Sequence, residues 1–293
     1  MPNWVKNIVL VDDVDKYIEL ACNEDSKDGE FKVDFNKLVP VPEEFNATSG
    51  SCYVPKDAIE NKQYNQDLRL ALKCKNIKEF VDIMQPRFKF TLKGKPYKIK
   101  DFYSAEEFHD LFMKSSTIEE QKIYSTIGYI FQVYCKVKYG IDNWYDFRRE
   151  AWGCKWNASD SIADGTQFQT PWSAPEPWFE ALAKKLNFIV LYADEDLGAN
   201  CGIYIGRNGG LDSYCSNEIN INSEAFARAI HGYLYEDNIE QDIEYCDPEK
   251  DKDRIVALQD LAKNPEKYLR NFLEEIDCPS EYDDKIISVL GNG

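Results

Sequence analysis

The chain has 293 residues, with 35 Lys and Arg against 52 Asp and Glu for a formal charge of −17. Apolar residues at 43% and aromatics at 14% exclude a disordered chain and allow a sizeable core, in one large domain or two modest ones. The acidic balance argues against broad electrostatic binding to nucleic acid or anionic membrane, since both present phosphate.

No stretch approaches the roughly 18 apolar residues of a membrane span. The opening Met1-Pro2-Asn3-Trp4-Val5-Lys6 lacks the charged and apolar regions of a signal peptide. The nine cysteines are scattered, with no C-x-x-C pair and only His109 and His231 to assist them, so neither a structural zinc site nor another cofactor is expected. Reduced thiols in a cytoplasmic protein fit this usage. Charge is uneven: residues 194–293 carry 9 basic and 23 acidic side chains, whereas residues 56–149 carry 18 and 13. Such asymmetry suggests separate surfaces with separate neighbours.

In chain order, Trp4–Val11 alternates as a strand with Trp4, Ile8 and Leu10 on one face, and Asp12-Asp13 offers a cap for a helix over Val14–Cys22. Phe31–Phe35 alternates as a second strand, ended by Pro40 and Pro42. Helical spacing then dominates, over Asp67–Lys75 and Ile77–Met84, with a hairpin at Phe88–Lys95. A helix over Ser104–Met113 opens on the capping box Ser104-x-x-Glu107, and Thr117–Lys138 is the longest helical stretch. Thr166–Thr170 and Ile189–Tyr192 read as strands around a helix over Pro175–Leu186, followed by a short strand at Gly202–Ile205. The last eighty residues read as helices over Glu224–Tyr235 (capped by Asn222-Ser223), Asp253–Lys263, Pro265–Ile276, and from Ser280 through Leu290. Setting the middle aside leaves strand, helix, strand, strand, helix, strand. The reading is α+β: a ferredoxin-like βαββαβ core from residues 1–55 and 150–210, a mainly helical insertion at 56–149, and an acidic helical C-terminal region at 211–293.

Several segments carry a resemblance. They are Met1–Asn7, Phe35–Glu43, Trp152-Gly153-Cys154-Lys155-Trp156-Asn157-Ala158, Thr170–Pro175 and Tyr192–Gly202. Together, over roughly residues 1–45 and 140–206, they resemble the YubB-like ferredoxin-fold family of phages and plasmids. The resemblance is specific for fold and implies no established activity. Its mobile-element setting implies a protein that handles a host system by binding, and the expected partner is a host anti-phage defence complex of the Gabija nuclease–helicase type.

Local chemistry leaves alternatives open. Lys155 and Asn157, between Trp152 and Trp156, could hold an anion or a stacked base; the same indoles could instead fill a sheet–helix interface, with Gly153 permitting a tight turn. Asp194, Glu195 and Asp196 could bind a divalent cation, or form a solvated acidic turn. Gly206-Arg207-Asn208-Gly209-Gly210 lacks the lysine and helix of a phosphate loop and reads as a hairpin turn. The carboxylates Glu236, Asp237, Glu240, Asp242, Glu244, Asp247, Glu249, Asp251 and Asp253 form a negative tract that could enter a basic DNA channel by imitating phosphate, or merely keep the surface soluble. The expectation is a non-enzymatic inhibitor that binds a host defence complex and blocks its access to DNA. It would associate with itself through an open sheet edge or the appended helices, and bind neither membrane nor, directly, nucleic acid. Two rivals stand beside it: a metal-dependent hydrolase on Asp194-Glu195-Asp196, and a nucleic-acid-binding module using the basic middle and Trp156.

Overall fold

Residues 4–11 alternate Trp4, Lys6, Ile8 and Leu10 against Val5, Asn7, Val9 and Val11, and the computed structural model forms them into strand β1 (Trp4–Val11). The structure describes residues 2–24, 30–48, 62–92, 95–98, 117–162, 164–216 and 218–291. The chain divides into two units, Met1–Val39 with Trp152–Gly293 and, separately, Pro40–Ala151.

After β1, Asp13 caps the helix Val14–Ala21 by accepting the Lys16 amide at 3.0 Å. The alternation in Phe31–Phe35 does not give a strand of the main sheet. Phe31–Val33 (β3) pairs only with Cys22–Glu24 (β2) in a small ribbon. Asp34 ends it, accepting the Asn36 amide as the cap of a one-turn helix, Phe35–Leu38. Phe35 thereby enters a buried aromatic cluster with Trp152, Phe168 and Trp178. Capping and aromatic burial outweigh the strand preference of so short a run.

In the Pro40–Ala151 unit, the helices Lys62–Ala71, Ile77–Met84 and Ile118–Tyr139 surround one core. Ile123, Ile127, Ile130, Phe131 and Tyr134 meet Phe80, Val81 and Met84 there. Thr117 and Glu120 close a capping box at the start of the long helix, and Gly140 ends it at φ 79°. A hairpin joins β4 (Phe90–Leu92) to β5 (Lys95–Tyr97). The helix expected over Ser104–Met113, with His109, lies outside the described residues. Buried Asp67 is matched by the Tyr129 hydroxyl at 2.8 Å and by the Arg87 guanidinium.

The remaining strands are β6 (Gln167–Pro171), β7 (Phe188–Asp194), β8 (Cys201–Arg207) and β9 (Gly210–Cys215). With β1 they form an antiparallel sheet in the order β6-β1-β7-β8-β9. Both β6 and β7 are antiparallel to β1, so they run parallel to one another, joined by the helix Glu176–Ala183 and split by β1. That is the split βαβ unit of a ferredoxin-like domain. Asn208 and Gly209, at φ 53° and 81°, make the two-residue turn between β8 and β9.

One sheet face packs Phe168 and Tyr204 against Phe179, with Trp178 and Leu182 from the same helix also buried. The opposite face presents Ile8, Ile189, Leu191, Ile203 and Ile205 to Phe226, Ile230, Leu269, Phe272 and Leu273. Strand β7 is consequently buried along its whole length. These last side chains belong to the C-terminal helices, Ile221–His231, Glu236–Glu244, Lys252–Lys263, Pro265–Glu275 and Asp283–Leu290. The acidic extension thus covers the face that a two-layer sandwich leaves open. The protein is α+β, with a ferredoxin-like core, a helical insertion and a helical C-terminal extension. Among the described residues no helix is long and apolar enough to cross a membrane.

The first C-terminal helix is capped by Asn220, not by Asn222-Ser223. The Asn220 side chain accepts both of their amides, Ser223 completes the capping box as the third helical residue, and Gly232 at φ 76° stops the helix after His231. Inside it, Arg228 donates to Glu224 at 2.7 and 3.0 Å and also reaches Asp242, while Arg254 donates to Glu224 at 3.0 and 3.1 Å. Arg228 and Glu224 are both buried, so their pairing must be complete. Arg228→Met should lower unfolding stability by about 2 kcal/mol, because it leaves the buried Glu224 carboxylate with Arg254 alone. Arg254→Met, at a half-exposed position, should cost about 1 kcal/mol or less. Urea denaturation followed by circular dichroism measures both.

Candidate functional site

Because β1 is antiparallel to both neighbours, its first residues lie beside the last residues of β6 and β7. Trp4 faces Pro171 across one ladder, and Val5 faces Asp194 across the other. The connections beyond those strand ends are pinned to the same place. Trp172 N–H donates to Asn3 O at 2.8 Å, and Glu195 N–H donates to Trp4 O at 3.1 Å. The Asn3 amide donates to the Asp196 carboxylate at 2.6 Å, and the Asn200 amide donates to Trp172 O at 3.1 Å and to Asp194 Oδ2 at 3.2 Å.

Three indoles meet on this end of the sheet. Trp156 lies 6.4 Å from Trp4 and 5.5 Å from Trp172, centroid to centroid, and the Lys155 ammonium sits 4.8 Å from the Trp156 ring. Trp156 and Trp172 are 37% and 49% exposed. Trp172 has φ 64°, a left-handed conformation that a bulky side chain adopts only when its surroundings impose it. Here the surroundings are its two backbone hydrogen bonds, to Asn3 and from Asn200. The fold holds a strained residue in order to leave its ring in water.

The two segments singled out from sequence are therefore adjacent in space, but their members do different work. Trp152 is fully buried and donates its indole N–H to Val39 O at 2.8 Å. Asn157 accepts the Phe35 amide at 2.8 Å and donates to Asp34 at 2.8 Å, so it locks the β3 ribbon. Gly153 is required at φ 84°, since a Cβ there would come within 2.6 Å of Pro177. Lys155 and Trp156 remain at the surface ledge. Asp194 is buried, and its two oxygens accept from the Asp196 amide at 3.0 Å and from Asn200, which shapes the loop as an Asx turn. Glu195 and Asp196 are exposed at the rim. Among the described residues no group of three or more His, Cys, Asp or Glu is arranged to hold a metal ion. Trp4, Trp172, Asn3 and Asn200 were not singled out as site residues from sequence; the one available signal was an indole directly after Pro171, ahead of two further prolines.

Burial raises the thiols of Cys22 and Cys201 to about 12 and that of Cys278 to about 11, which keeps them protonated and unreactive near neutral pH. A cleft of about 180 Å³ at the far end of the sheet is lined by Asp12, Arg207, Tyr282 and Lys285. Its charges pair among themselves, Lys285 with Asp12 at 2.8 Å and Arg207 with Asp212 at 2.9 Å.

Behind the ledge, His231 Nε2 lies 3.2 Å from Ala193 O and 3.1 Å from Asp194 O, so this nitrogen carries the proton and donates to both. Tyr233 stacks on the ring at 5.8 Å. Burial lowers the imidazole below its ordinary 6.5, against the smaller opposing pull of those carbonyls. On acidification the unfolded chain takes up this proton first, so the contribution is complete above about 6.5 and declines as pH falls toward the folded value. An NMR titration should place His231 below free histidine. His231→Gln should remove the loss of thermal stability that begins as pH falls below about 6.5, leaving the carboxylate-driven loss below about pH 4. A value at or above 6.5 would contradict the burial argument.

Residues 151–236 match the family model described as a ferredoxin-like domain in Api92-like protein. No curated protein and no solved structure matches the chain. The matched span runs from the end of the Trp144–Trp152 helix through β6, the Glu176–Ala183 crossover, β7, β8, β9 and the Ile221–His231 helix. The chain thus carries a ferredoxin-like domain, and the strand between β6 and β7 is supplied by residues 4–11, outside the matched span.

Proposed function

We propose that this chain is a non-enzymatic binding protein of a phage or related mobile element, which docks on and inhibits a host anti-phage defence complex. A Gabija-type nuclease–helicase is the partner that the family resemblance favours. The observation that carries a binding role is Trp172. Exposed indoles are the side chains most often found to dominate interface energy, and this one is held in place against backbone strain. Trp156 and Trp4 extend the apolar anchor, and Glu195 and Asp196 supply a polar rim.

The acidic extension supports the same reading through long-range charge. Asp242 is committed to Arg228, but Asp237, Glu240, Glu244, Glu249 and Asp253 are exposed. Tyr235 and Tyr245, 58% and 81% exposed, stand among them. Carboxylates and tyrosines together suit a basic protein surface, such as one that receives DNA. Occupying it would deny access to the nucleic acid, with association accelerated by opposite charge.

The test uses a reconstituted nuclease–helicase complex of the Gabija type. The parent chain should bind it and suppress its DNA cleavage. Trp172→Gly relieves the positive-φ strain, so its thermal midpoint should equal or exceed the parent's, while its affinity should fall by about 2 kcal/mol, roughly thirtyfold. Full inhibition by a well-folded Trp172→Gly protein would remove the ledge from the binding site. Absence of any binding by the parent chain would remove the proposed partner.

A further inference from the structure

The two edges of the sheet are finished differently. Along β6 the chain folds back on itself: Ser159 N–H donates to Gln169 O at 3.0 Å, Gln169 N–H to Ser159 O at 2.8 Å, and Ile162 N–H to Gln167 O at 3.1 Å. Along β9 no such cover exists among the described residues. The two-residue turn makes Arg207 and Gly210 a hydrogen-bonded pair, and the pairs Ile205–Asp212 and Ile203–Tyr214 follow in the same phase. The backbone N–H and C=O groups of Leu211, Ser213 and Cys215 therefore point away from β8, toward the open side.

Soluble proteins guard such an edge with Lys, Pro, a bulge or an unpaired charge. Gly210-Leu211-Asp212-Ser213-Tyr214-Cys215 has no Lys, Pro or bulge, and its single charge, Asp212, is tied to Arg207 at 2.9 Å. An edge left this way is one that something pairs with.

We propose that β9 pairs antiparallel with β9 of a second copy of this chain, about a twofold axis at Ser213, so that one sheet runs through both copies. The strand is self-complementary in that register. Ser213 exchanges both backbone bonds with its equivalent, Leu211 lies opposite Cys215, and Asp212 lies opposite Tyr214, so no like charges face one another. Among the described residues of the main sheet β6 is already covered, which leaves β9 as its open edge, and association through β9 closes at two rather than growing into a fibre. The formal charge of −17 on each chain opposes the pairing, so added salt strengthens it.

Sedimentation equilibrium across a concentration series, at low and raised salt, tests this with the full chain. The parent mass should double with concentration, at lower concentration when salt is raised. Ser213→Pro removes an outward N–H without touching the β8 ladder, and should hold the mass at that of one chain. Ser213→Lys, at an exposed position, sets like charges opposite one another across the twofold axis and should do the same, so it decides the matter if the proline variant does not fold. A parent that stays single throughout would overturn the proposal. So would a dimer that survives in a folded lysine variant.

Discussion

Strand β1 is hydrogen-bonded on both sides, to β6 along Trp4–Ile8 and to β7 along Val5–Val11, and the rest of the sheet depends on it. The helix Glu176–Ala183 returns the chain from β6 to β7 in the same direction, which leaves a gap one strand wide between them. Residues 4–11 fill that gap from the opposite end of the sequence. Their antiparallel direction brings Trp4 beside Trp172 and Glu195, so the surface ledge is a consequence of strand pairing rather than of any local motif. A single ladder position off register would exchange the two faces of β1, turning the buried Asn7 and Val9 toward the C-terminal helices in place of Ile8 and Leu10.

Five of the six tryptophans fall into two groups. Trp152 and Trp178 are buried completely and organise the aromatic layer around Phe35 and Phe168. Trp4, Trp156 and Trp172 lie together at the surface. What distinguishes the second group is the rigidity of its support. Asp194 and Asn200 direct their polar atoms to backbone and to one another, and Asn3 donates to the Asp196 carboxylate, which leaves the loop few alternatives and the indoles a fixed arrangement. A preorganised anchor loses little side-chain freedom on binding, and this favours a docking role for the ledge.

The C-terminal acidity is likewise of two kinds. Glu224 and Asp242 hold three helices together through Arg228 and Arg254, and Asp260 is kept well below the usual carboxylate range by Lys267, Tyr268 and Asn264. In the helix Glu236–Glu244, Asp237, Glu240 and Glu244 are exposed and have no such partner among the described residues. That helix has no basic residue in its last turn, and Glu240 and Glu244 stand one turn apart, an arrangement that local electrostatics disfavours. Burial of Ile239 and the Arg228–Asp242 pair keep it folded, so tertiary contacts maintain a negative face that the helix by itself would not stabilise.

Much of this was legible in the residues. The period-2 pattern of Trp4–Val11, the caps at Asp13 and Gly140, the proline-led helix before β7 and the Asn208-Gly209 turn each carry their conformation in a few neighbouring side chains, because the forces involved act over one turn or one strand. The alternation at Phe31–Phe35 misled because a cap at Asp34 and a buried site for Phe35 compete with pairing, and only the second of these depends on distant residues. The acidic loop at Asp194–Asp196 and the Lys155-Trp156 pair were recognisable as chemistry, but Trp152 and Asn157 looked equally eligible. What the sequence determined alone was most of the helices, the strands Trp4–Val11, Gln167–Pro171, Phe188–Asp194 and Cys201–Arg207, and where charge would accumulate, since these follow from neighbours along the chain; the strand Gly210–Cys215 and the helices Trp144–Trp152 and Glu236–Glu244 were not legible there. Which indoles face water, which carboxylates are already occupied and which sheet edge stays open were decided only when β1 entered between β6 and β7, because strand pairing joins residues that no local force can bring together.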